Sequence, residues 1–81
     1  MVSMTYGELP NRALFDAAFD DVCADTGKFQ VRNCKRVGNV SYTADQLWEQ
    51  LTDCIEGFED GDEEAGNWAS CVLADLGFEW I

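Results

Sequence analysis

The sequence predicts a small α+β domain, mostly helical: a helix, a short β-hairpin, an antiparallel helix pair and a short C-terminal strand. Three observations carry this. Apolar residues repeat at helical spacing over 11–26, 43–60 and 62–76, whereas residues 28–42 alternate instead. Glycines at 27, 61 and 77 fall where each helical pattern stops. The chain has 81 residues, 47% hydrophobic and 12% aromatic, which suits one compact domain and is too apolar for a disordered chain.

In the first helix, Leu14, Phe15, Ala18, Phe19, Val22 and Cys23 share one broad apolar face, with Asp16 and Asp20 on the other side. Pro10 suits its first turn and Gly27 its stop. Residues 3–9 are a short extended lead-in or an extra turn. In the next segment, Phe29 and Val31 alternate with Gln30 and Arg32, and Val40 and Tyr42 flank Ser41. Gly38-Asn39 is a two-residue turn signal, so a hairpin is expected there.

Thr43 with Gln46 three residues on forms a capping box for the second helix. Leu47, Leu51, Cys54, Ile55 and Phe58 make its apolar face, with Trp48 at the edge. Asp62 can cap the third helix, and Glu63 and Glu64 occupy its first turn, where the helix dipole favours anions. The expected core is Leu14, Phe15, Phe19, Val22, Val31, Leu47, Leu51, Ile55, Phe58, Trp68, Val72, Leu73 and Leu76. Phe78, Trp80 and the residues between and after them alternate as a strand would.

Charge is the unusual property. Sixteen acids face five bases with no His, for a formal net charge of −11. The charge is also sorted along the chain. Residues 27–42 hold four bases (Lys28, Arg32, Lys35, Arg36) and no acid, while 43–81 hold 11 acids and no base. Direct binding to nucleic acid or to an anionic membrane is therefore not expected, and a cationic partner is. The basic segment is expected to pair with acids of the fold, or to meet an acidic patch on a partner.

Within the second helix Asp45, Glu49, Asp53, Glu56 and Asp60 follow steps of 4, 4, 3 and 4, which aligns them in one stripe opposite the apolar face. Four residues rise about 6 Å, comparable to the spacing of phosphates along a nucleic-acid strand. No Lys or Arg lies at i+3 or i+4 to relieve the repulsion. Asp62, Glu63 and Glu64 extend the stripe into the next helix, and Trp48 at its border is a candidate anchor, although in so small a domain use in the core is the plainer expectation for it. A solvated acidic face serving solubility is the plainer reading, and an ordinary soluble helix would mix Lys into it.

Small size, strong acidity and acids in a stripe on a packed scaffold resemble the small anti-defence proteins of phages and mobile elements, namely DNA-mimic anti-restriction proteins and some anti-CRISPR proteins. The resemblance covers the charge pattern of residues 43–64 and rests on no family motif. It implies a non-enzymatic inhibitor in the host cytoplasm. Its partner would be a basic nucleic-acid-binding complex such as a CRISPR effector, and its contact residues Asp45, Glu49, Asp53, Glu56, Asp60, Asp62, Glu63, Glu64 and Trp48. The alternative is a generic acidic protein–protein interaction module. Monomer and homodimer are both compatible with the sequence.

Catalysis is not expected, because Cys chemistry lacks an activating His and the carboxylates are spread over a polar face. No cofactor or metal is expected either. The acidic run 59–64 lacks the ligand spacing of an EF-hand, and Cys23, Cys34, Cys54 and Cys71 include no CxxC pair. The cysteines are expected as free, buried thiols; in a secreted chain they could pair in three ways. No secretory signal and no membrane-length apolar run is read from the sequence, so a cytoplasmic location is expected.

Overall fold

The computed structural model describes residues 2–4, 8–31 and 40–80. The elements run β1 (Val2–Met4), α1 (Arg12–Cys23), β2 (Phe29–Val31), β3 (Val40–Tyr42), α2 (Ala44–Glu59), α3 (Glu63–Asp75) and β4 (Phe78–Trp80). This is the expected α+β order. β2 and β3 form an antiparallel hairpin, with Phe29 opposite Tyr42 and Val31 opposite Val40. β4 is the C-terminal strand, and its partner is β1, in a separate parallel pair that sets Val2 against Phe78 and Met4 against Trp80.

The hairpin register corrects the turn. A two-residue turn at Gly38-Asn39 would set Val37 opposite Val40, yet Val40 pairs with Val31. The turn residues themselves lie outside the described residues, as does residue 34, one of the four cysteines.

Helix ends follow local chemistry. α1 begins later than Pro10 suggests, because Asn11 is its N-cap and accepts from the Ala13 amide at 2.8 Å. Thr43 and Gln46 make the expected capping box. Between α2 and α3 the chain turns in three residues. The Gly61 amide donates to the Phe58 carbonyl (3.0 Å) and the Asp62 amide to the Gly57 carbonyl (2.9 Å). That closure needs a left-handed residue, and Gly61 supplies it at φ +104°. Asp62 then caps α3 through its carboxylate, which accepts from the Ala65 amide.

The antiparallel α2–α3 pair packs closely at Gly66. A Cβ there would fall 2.8 Å from Phe58 Cε1 and Cγ, and closer still to Cδ1, so the ring lies directly against helix backbone. Phe15, Leu47, Leu51, Cys54 and Leu73 are the largest side chains fully removed from water. Trp68 is buried and meets Tyr42 edge-on, ring centroids 6.3 Å apart.

Several expected core positions are not core. Leu14 and Val22 each remain 49% exposed, because α1 buries the arc centred on Phe19 and flanked by Phe15 and Cys23, roughly 140° round the helix from Leu14. Phe58 is only half-buried over Gly66, and Cys71 is exposed rather than buried. Cys23 and Cys54 are buried as expected, and the core also takes Phe29, Tyr42, Ala65, Ala69 and Phe78.

Candidate functional site: an acidic face on α2

α2 is a 16-residue helix with two opposed faces. Leu47, Leu51, Cys54 and Ile55 are buried, and Asp45, Glu49, Asp53, Glu56 and Asp60 are all exposed. At roughly 100° per residue the five acids fall within an arc of about 80°, and at 1.5 Å per residue they extend over about 22 Å. The same stretch contains no Lys or Arg.

The stripe continues round the Asp60–Asp62 turn. Glu63 and Glu64 are exposed in the first turn of α3, where the unpaired amides of the helix start favour a carboxylate. Asp62 is different: half-buried, with an oxygen committed to the Ala65 amide, it holds the helix start in place. Glu56, Glu59 and Asp60 sit at the opposite pole of α2, where the dipole disfavours anions and no base stands in the last turn.

One acid of the stripe has a partner from outside its helix. Arg12, the first residue of α1, donates to Asp16 at 2.9 Å and to Asp45. These bonds raise the Arg12 pKa above its ordinary value, the Asp45 bond first. Sequence spacing within the helix shows no relief for the stripe, and the relief at Asp45 comes from a residue 33 positions away. Of the basic segment, Lys28 is exposed, and Arg32, Lys35 and Arg36, expected to pair with acids of the fold or of a partner, lie outside the described residues.

Trp48 is half-buried and held from two sides. Its ring lies 5.0 Å from that of Phe15, and the Arg12 guanidinium stands 5.3 Å from its centroid. As an anchor it would offer only the edge left open by these contacts. Sequence reasoning missed the neighbour of the stripe: β3 borders an open cleft whose other wall is Gln46, Glu49, Gln50 and Asp53. Exposed Val40 and Ser41 thus lie beside two of the acids. The signal was the shortness of the Tyr42–Ala44 connection, which leaves β3 no room to leave α2.

Among the described residues, no group of three or more His, Cys, Asp or Glu is placed to hold a metal ion, and no helix is long and apolar enough to cross a membrane. Among the described residues, Cys23, Cys54 and Cys71 form no disulfide. Burial pushes the Cys23 thiol pKa up. Comparison with protein families, with characterised proteins and with solved structures finds no match.

Proposed function

We propose that this protein is a non-enzymatic inhibitor of a host defence nuclease complex, of the anti-CRISPR or DNA-mimic type. In this reading α2 occupies a basic groove built for a phosphate backbone, and the nuclease is excluded from nucleic acid by charge and bulk. The observation that carries the reading is the five exposed carboxylates on one arc of α2, with no cation on the helix. Such a stripe is costly. Like charges one turn apart oppose helix formation by a few tenths of a kcal/mol per pair, and the acids at the C-terminal end add to this. A helix selected for solubility alone has no need of that arrangement, because interspersed Lys gives solubility without it.

Glu49, Asp53 and Glu56 are the central contacts, flanked by Asp45, Asp60, Glu63 and Glu64. Asp62 and Trp48 hold the surface in shape. The site of action would be the cytoplasm of the host cell. Association would be fast and steeply dependent on salt.

The test is capture from bacterial lysate on immobilised protein, eluted along a salt gradient, with the E49K/D53K protein as a parallel column. Retention of a nucleic-acid-binding complex that its own DNA or RNA displaces, and that the variant does not retain, supports the reading. Retention indifferent to salt, to nucleic acid and to the double reversal would overturn it and favour the generic interaction module.

A further inference from the structure

We propose that a second surface, the groove between α1 and the α3–β4 junction, docks a basic amphipathic helix of a partner protein. Leu14, Ala17, Ala18 and Asp21 form one wall, and Leu76, Gly77 and Phe78 the other. Val22 follows Ala18 one turn further along the same side of α1, outside the lining itself. Leu14, in the lining, and Val22, two turns further along α1, are each about half exposed (49%). Leu14, Ala18 and Val22 follow one another at four-residue steps, an apolar strip about 12 Å long. Two turns of a partner helix match that length, with apolar side chains at i, i+3 or i+4, and i+7.

Charge decides among occupants. Asp21 lines the groove, and exposed Asp75 and Glu79 are the chain neighbours of its Leu76 and Phe78. Arg12, the base on α1, is bound to Asp16 and Asp45. A second copy would bring Asp21 and its neighbours against the same acids, between chains that each carry a net charge of −11. An anionic lipid or nucleic acid meets the same repulsion. A helix with one apolar face flanked by Lys or Arg satisfies the strip and the acids together. The groove shares no lining residue with α2, so this surface is independent of the acidic stripe.

The probe is a fluorescently labelled synthetic helix made only of Leu and Lys, with the same composition in scrambled order as control. Anisotropy would be read at moderate salt for the intact protein and three variants: L14S/V22S, D21K and E59K, the last a charge-matched change outside the groove lining. Circular dichroism would check that each is folded. Expected are binding of the amphipathic peptide over the scrambled one, a loss of about tenfold or more in L14S/V22S, a smaller loss with a shallower salt dependence in D21K, and a still smaller loss in E59K, which changes the net charge equally. Equal binding of the two peptides, or binding insensitive to L14S/V22S, would overturn the proposal. So would concentration-dependent self-association of the intact protein abolished by L14S/V22S, since the occupant would then be a second copy. The acidic-stripe reading stands or falls separately, on E49K/D53K in the lysate capture.

Discussion

Arg12 on α1 binds Asp45 on α2, and the same guanidinium stands over the ring of Trp48. One exposed cation therefore ties the first helix to the start of the acidic stripe. Replacing Arg12 with Gln is expected to lower the thermal midpoint modestly, because the linked side chains are solvent-exposed. It also frees Asp45 and takes the net charge from −11 to −12. Partner association should become faster and more salt-sensitive, as stopped-flow measurements at two ionic strengths would show. Slower association would mean that Arg12 itself contacts the partner or that its loss disorders the start of the stripe.

Reversing the stripe should separate binding from stability. In Glu49→Lys the new cation lies one turn from both Asp45 and Asp53, which turns two repulsive pairs into attractive ones. Stability is expected to rise by about 0.5–1 kcal/mol in chemical denaturation. Association with a basic partner should slow by on the order of tenfold or more. Loss of both stability and binding would point to a structural role for Glu49.

Salt should stabilise the free protein. With 16 acids against five bases, self-repulsion opposes the compact state and screening relieves it. The thermal midpoint is expected to rise between low ionic strength and about 0.5 M NaCl. A fall would show that attractive pairs such as Arg12–Asp45 dominate the balance.

Gly66 is required by Phe58. In most helices Gly→Ala gains about 1 kcal/mol from propensity. Here the added Cβ would enter the Phe58 ring. Gly66→Ala is expected to destabilise by about 1–2 kcal/mol, the overpacking cost outweighing the propensity gain. In a Phe58→Ala background the same change should become neutral or stabilising, and a denaturation double-mutant cycle reads this directly.

Thiol reactivity should follow exposure. Peptide mapping after brief alkylation of the native protein is expected to show Cys71 modified well before Cys23 or Cys54. Burial raises the Cys23 pKa above its ordinary value of 9.0, so the folded state holds that proton more tightly than the unfolded chain. Its contribution to stability is full below about pH 9 and is lost as pH rises through the folded pKa. Cys23→Ala should flatten the alkaline limb of the stability profile.

What the sequence made legible was whatever local chemistry determines. The Thr43–Gln46 capping box, the Asp62 cap and the Gly61 closure each act within three or four residues, and all three form. The acidic stripe was legible for the same reason, since helical period alone aligns Asp45 with Glu49, Asp53, Glu56 and Asp60. What escaped depends on which element lies next to which. Leu14 and Val22 have the periodicity of core residues, but the fold covers α1 on the neighbouring arc. The Arg12–Asp45 bond and the pairing of β1 with β4 join distant segments with no signal between them.

That last pairing sets an order of assembly. Val2 meets Phe78, 76 positions later (78 − 2), whereas α2 and α3 are joined through Asp60–Asp62 alone. Closing the long loop costs more chain entropy, and a three-residue ladder returns little for it. The helical hairpin is thus expected to form early and the β1–β4 ladder last, with its amides exchanging fastest with solvent among the paired strands. Phe78 belongs both to that ladder and to the wall of the α1 groove. The acidic face is therefore complete while the apolar groove is still being built, and a chain with its two ends undone would keep the first surface and lose the second.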